Sequence, residues 1–399
     1  MTVAMRDFDV VTRATSRHVP RTATEGGIDV RRTYAHLPCQ RFWTWLTGKA
    51  MPNGAPKKRS DVLLSVPSAL GIVAANWLAI IGLVLLGALS ARWWVSVIVM
   101  VLVTNRTRAL IHYYHYMSHG LFVRSRRWSR VIAEYLVSIP LLHTPMPAYL
   151  RIHTVEHHGH NTICTDEDPD QVYVTFVGLR PGMTEREFWN VVLFAPLRPA
   201  KIYRNVEYRL WLAFGDSARA AKIRRAVCWG VTLTAVTWLG AAGPFVLYYL
   251  VPLLLISQYS SWIQYVTEHL WFADRRPDTA LRRHVAELTW GRFLGRPYPR
   301  RTGVVGLGRH AAALAAWWTK VVVVDLPSRV FVYMVDLSSH DHHHVNPNIA
   351  FWEIAQNRAN DEASHEGWPA YRETWSIVES YRIVRDFLVY AKRPFPAVN

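Results

Sequence analysis

The chain has 399 residues, 51% of them apolar, with 18 Trp, 18 Tyr and 14 Phe and a formal net charge of +17. Its basic residues flank apolar runs and form no compact polar domain. Attraction to an anionic leaflet and the positive-inside bias therefore account for them, and nucleic-acid binding is set aside. Three scattered cysteines, Cys39, Cys164 and Cys228, with no C-x-x-C pair exclude a disulfide framework and a cysteine-held iron–sulfur or zinc site.

Residues 1–60 read as a basic cytoplasmic lead-in. Arg6, Arg13, Arg17 and Arg21 stand there without an apolar core, so a cleaved signal peptide is not expected. Residues 61–350 read as an all-α integral membrane domain, and 351–399 as a cytoplasmic tail. The apolar runs predict four transmembrane helices arranged as two hairpins, at about 62–89, 93–112, 226–240 and 245–266. The second run leaves the lipid through Asn105, Arg106 and Arg108 and projects beyond it. Between the hairpins, 120–225 is basic and lacks a span-length run; amphipathic pieces such as 131–142 are expected on the membrane surface. The tight turns carry little charge, whereas the lead-in, the middle segment and the tail are basic. Both termini and the histidine-rich stretches are therefore expected in the cytoplasm, in a helical cap.

Those stretches are unusual for their spacing. His115 and His119 are four apart and share a helical face, with His112 three residues before. His153 and His157 form a second i, i+4 pair, with His158 free to turn to a neighbouring ion. His340, His343 and His344 have H-x-x-H-H spacing, and His269 follows Glu268 at the end of the last span. Imidazole suits zinc, copper, iron and nickel alike. A structural zinc needs four ligands and a catalytic one usually three, so nine spaced histidines from four segments fit two ions. The isolated His18, His36, His143, His284, His310 and His365 read as surface or hydrogen-bonded residues.

The boxes resemble those of the membrane fatty acid desaturase superfamily, which includes acyl desaturases, carotenoid ketolases and hydroxylases, and alkane hydroxylases. H-x-x-x-H-G is matched by His115 to Gly120, H-x-x-x-H-H by His153 to His158, and H-x-x-H-H by His340 to His344. Hairpin order, the Glu268-His269 pair and the Glu167-Asp168-Pro169 segment extend the likeness over roughly residues 60–350. The resemblance implies that His115, His119, His153, His157, His158, His269, His340, His343 and His344 hold two iron ions without a bridging carboxylate. It further implies that dioxygen is co-substrate, that an acyl or similar lipid chain is oxidised, and that electrons arrive from a separate ferredoxin or reductase.

The longer second box and Ser338-Ser-His340-Asp-His-His-His344-Val-Asn-Pro347 are similar to alkane hydroxylases, but Leu270-Trp271 stand where those enzymes have a glycine after E-H-Y. His112, His160 and His342 are surplus, either orienting ligands or replacing them. Asp341, Glu156 and Glu268 are candidates to accept ligand N–H groups, or else solvated acids. Arg124, Arg126, Arg127 and Arg130, just after box one, read first as part of the positive-inside bias, and otherwise as contacts for lipid phosphates, an anionic acyl carrier or an acidic redox partner. Desaturation is favoured over hydroxylation. A histidine-rich metal transporter is the rival reading, although such a protein carries its ligands near mid-span. A zinc hydrolase lacks the H-E-x-x-H that would supply its base.

Overall fold

The computed structural model describes residues 28–53, 62–159, 161–215, 218–275, 279–301, 306–364 and 371–390. Its first helix, α1 (Gln40–Thr47), is stopped by Gly48 at φ 79°. A Cβ on Gly48 would lie 2.3 Å from Ser338 Cβ. The position therefore needs glycine twice over, for its dihedral and for the close approach of the turn leading into the third histidine box. Gly48→Ala is expected to destabilise the protein by more than about 1 kcal/mol, read from its unfolding midpoint in detergent. An unchanged midpoint would show that the approach is not needed.

Ser65 opens α2 (Val66–Leu89) by accepting the Ser68 amide, with Pro67 in the first turn where no amide is missed. After a three-residue break α3 (Trp93–Ser118) runs back. Gly120, at φ 65°, ends it, and Leu121 N–H bonds Tyr116 O at 2.8 Å. The chain then turns inward, burying Leu121 and Phe122 and pairing Val123 with Leu64 at the entry of α2.

Next come α4 (Arg126–Val131), continued by π-wound Ile132–Ser138, and α5 (Met146–Leu150), continued by π-wound Arg151–His157. The expected amphipathic piece at 131–142 packs its apolar side inward. Ile132, Ala133 and Val137 are buried with α2 and α3 in the main core. Four helices follow: α6 (Pro169–Val177), α7 (Glu185–Phe194), α8 (Pro199–Phe214) and α9 (Arg219–Trp238). α10 (Ala242–Tyr265) contains two π turns around Pro252, which cannot complete an α-helical ladder.

Among the described residues three helices are long and apolar enough to cross a membrane: α2, α3 and α10. The expected run at 226–240 lies mostly in the C-terminal part of α9. The first two turns of α9 carry Arg219, Lys222, Arg224 and Arg225, and the helix falls outside that group. Arg225 is drawn into the fold, bonding Glu134, Ser138 Oγ (2.6 Å) and His143 O (2.9 Å).

The remaining helices are α11 (Leu281–Glu287), α12 (Leu307–Lys320, running on through π-wound Val321–Asp325 and Leu326–Phe331), α13 (His340–Val345), α14 (Phe351–Ser364) and α15 (Ile377–Tyr390). Two short parallel strands, β1 (Gly291–Arg292) and β2 (Glu373–Thr374), tie the C-terminal part to the middle of the chain. A second apolar core joins α6, α7, the end of α10 and α15. The histidines lie between the two cores.

Candidate metal centre

Four segments converge. The end of α3 brings His115 and His119; the π turn after α5 brings His153, His157 and His158; the residues after α10 bring His269; α13 brings His340, His343 and His344. Side-chain nitrogens of His115, His119, His153, His158 and His343 all lie within 4.8 Å of one another, and those of His157, His269, His340 and His344 form a second such group. In the first, His115 Nε2 is 2.9 Å from His343 Nε2, and His153 Nε2 is 3.1 Å from Nε2 of both His119 and His158. In the second, His340 and His344 Nε2 are 2.8 Å apart. Two nitrogens bound at right angles to one ion at about 2.1 Å are separated by ~3 Å, so the spacing suits shared ions. The groups adjoin, with the His158 and His344 rings stacked at 4.5 Å.

The partition corrects one expectation. The His153 and His157 rings stack at 5.6 Å, as an i, i+4 pair should, but their nitrogens fall in different groups: His153 lies with His119 and His158, and His157 with His269, His340 and His344. The cause is the winding. His158 N–H bonds His153 O at 3.0 Å, an i+5 step that also brings the His158 ring back to His153, with 3.1 Å between their Nε2 atoms. The third box also splits, His343 to the first group and His340 with His344 to the second.

Buried nitrogens without a protein partner are rare, yet both ring nitrogens of His269 and Nδ1 of His343 are buried without a hydrogen bond. Burial, followed by the neighbouring imidazoles, holds His153, His158, His269, His343 and His344 well below the usual histidine range. They are neutral rings with free lone pairs, which is what a metal requires. His157 differs. Burial opposes its charge, but Asp168 and Asp170 outweigh burial and raise it to about 10. Its Nδ1 donates to Asp168 Oδ1 at 3.0 Å, leaving Nε2 for an ion that would displace the second proton. The donor set fits two metal ions.

Asp168 is the residue that sequence reading undervalued. It is fully buried, and it caps α6 while accepting Cys164 N–H. An Asp before Pro169 is a helix-start signal, but its reach back to His157 is tertiary. Asn caps equally well, so Asp168→Asn should spare α6. It should still weaken metal affinity roughly 10- to 100-fold, measured by competition with a chelator. Unchanged affinity would reduce Asp168 to a cap.

Of the three candidate acids, Glu268 Oε1 is 2.8 Å from His340 Nε2, held below the usual carboxylate range by His340 and Arg292 despite burial. Asp341 instead receives Arg358 through Nε (2.9 Å) and Nη2 (2.8 Å). Glu156 is half-buried beside Arg151 at 3.5 Å. His112 bonds Asp336, which also receives the Tyr116 hydroxyl. His342 points away from both groups toward Tyr371 and Asn346. His36, His143, His284 and His310 also lie outside them. His160, His18 and His365 fall outside the described residues. A cleft of about 320 Å³ reaches His119, His158 and His344, with Arg282 and Thr154 on its wall.

The model of the fatty acid desaturase family matches residues 91–375, more than half of the chain. No curated protein matches it.

Proposed function

The chain belongs to the fatty acid desaturase family, and from that premise we propose that it is a membrane-bound, non-haem di-iron enzyme that uses dioxygen to desaturate a fatty acyl or similar lipid chain. The observation that carries this reading is the pair of adjoining imidazole groups, five and four strong, to which the ends of two apolar helices contribute His115, His119 and His269. A metal transporter would need such ligands within its spans; of the nine only His115 lies on a candidate span, at its last turn.

Irons bound there supply, with dioxygen and two external electrons, the oxidising power to take hydrogen from an unactivated C–H bond, which side chains alone cannot do. The protein's own residues hold and shield the centre. Asp168 keeps the Nδ1 proton on His157 and so aims Nε2 inward. Tyr149 stacks on His153 at 5.2 Å and Trp271 meets His269 edge-on at 4.9 Å, forming an apolar wall that excludes water.

In this reading the boxes and both termini face the cytoplasm, and the apolar half of α9 pairs with α10 as the fourth crossing. Electrons come from a separate ferredoxin or reductase reaching the centre by the cleft beside Arg282. One observation favours hydroxylation as the second reading: the six-residue H-x-x-x-H-H spacing, which resembles alkane hydroxylases, is wound so that His153 and His158 at its two ends come within 3.1 Å.

Metal analysis of the purified protein is expected to give about two iron ions per chain; stoichiometric zinc, or a protein that takes up no iron, would overturn the reading. Mass analysis of lipids from an expressing host then separates the products, with loss of two hydrogens expected and gain of one oxygen indicating the hydroxylase.

A further inference from the structure

We propose that α12, the helix from Leu307 to Phe331, is a membrane-embedded element that lies against the lipid beside α3 and α10. It goes beyond the reading of the metal centre and does not depend on it.

The first observation is an inverted amphipathicity. Trp317, Val321, Asp325 and Arg329, spaced by four, form the buried stripe of the helix, with Asp325 paired to Lys320 at 2.5 Å. The outward side carries Leu307, Trp318, Val322, Val323 and Val324, of which Val323 is 65% exposed. Ala311, Ala312, Ala313, Ala315 and Ala316 are exposed on the same helix. A helix facing water buries its valines and exposes its charges; the second half of this one buries Asp325 and Arg329 and exposes Val322, Val323 and Val324. Phe42 and Trp45 of α1 add two more exposed aromatics beside it, Trp45 lying under Arg329.

The second observation fixes depth. The C-terminal end of α12 is bonded into two candidate spans. Asn105 Nδ2 donates to Val330 O at 2.6 Å, Arg108 Nη1 donates to Phe331 O at 3.2 Å, and Ser260 Oγ also reaches Phe331 O. Asn105 and Arg108 lie 12 and 15 residues beyond Trp93, which begins α3 and is itself largely exposed. At a rise of 1.5 Å per residue that is ~18–22 Å along the span, so the anchor lies toward the far side of a hydrocarbon layer ~30 Å thick, where Asn105, Arg106 and Arg108 are expected to carry the helix out of the lipid. Val322 and Val323 are only about 12 Å from that anchor, so the exposed valines cannot be far from lipid. Exposed Arg300, Arg301 and Arg309 at the opposite end suit anionic headgroups. Lipid is therefore the occupant, by continuity with the spans.

The test uses the full chain in nanodiscs containing brominated phosphatidylcholine, with Cys39, Cys164 and Cys228 replaced by serine and one cysteine carrying a fluorophore. Leu85→Cys, on the exposed side of α2, reports a span; Ser364→Cys, exposed on α14, reports the aqueous cap. Each labelled protein must elute as the wild type does. Val323→Cys is expected to be quenched at least half as strongly as Leu85→Cys. Quenching no greater than at Ser364→Cys would overturn the proposal, as would a Val323→Cys disulfide dimer that excludes lipid, because a second copy would then cover the face. Absence of quenching at Leu85→Cys would unseat the membrane placement of α2 instead, so the two failures are distinguishable.

Discussion

His158→Ala is expected to abolish product formation and to lower iron from about two ions per chain to about one or fewer. His158 makes the shortest ring contact between the two groups. Its Nε2 is 3.1 Å from His153 in the first, and its face stacks at 4.5 Å on His344 in the second. Removing it takes a donor from one group and a packing surface from the other. The matched control is His342→Ala. That residue belongs to the same box as three proposed ligands but turns toward Tyr371 and Asn346. It should keep its iron while losing stability through the vacated buried site. Equal iron loss in both variants would show that box position, and not the observed grouping, determines binding.

Arg358→Ala is expected to cost about 3–5 kcal/mol, because it strands the Asp341 carboxylate in a buried site. Arg358 is 1% exposed, grips Asp341 through two nitrogens and also meets Glu362 at 3.3 Å. Asp341 sits between His340 and His342 on the six-residue α13, too short to hold its own shape. The pair therefore fixes the helix that feeds both groups. Lys49 extends the network, reaching Glu373 at 2.5 Å and Glu362 at 3.2 Å, and so links the region before the first span to the C-terminal part. The check is the denaturation midpoint together with iron per folded chain. Replacing Arg358 and Asp341 together by methionine should recover most of the stability, since an apolar pair leaves no unpaired charge. If the double variant is as unstable as Arg358→Ala, the stranded carboxylate is not the cause.

Much was legible in the sequence because it is local. Apolar length marks α2, α3 and α10, and the spacing of His115 with His119 predicts a shared face that the structure shows, since α3 is regular up to its end. At His153 and His157 the shared face is also present, the rings stacking at 5.6 Å, but it does not give them one ion. Nothing in Arg151–His157 announces the π turn that also brings His158 to His153. The fourth apolar run was visible as composition, but the arginines preceding it belong to the same helix, and only the fold shows Arg225 turned inward to Glu134.

By itself the sequence determined which short stretches concentrate histidine and where the chain is apolar enough to meet lipid, because residue type and short-range periodicity are written along the chain. The choice of nine among those histidines came from the resemblance of the boxes to a family. Only the tertiary structure decided how the nine divide into five and four. It also decided that Asp168 serves His157, that Arg358 anchors the third box, and that α12 turns its valines outward. Each of these depends on helix winding or on partners brought together by packing, and a residue's type does not record which neighbour a distant segment will place beside it.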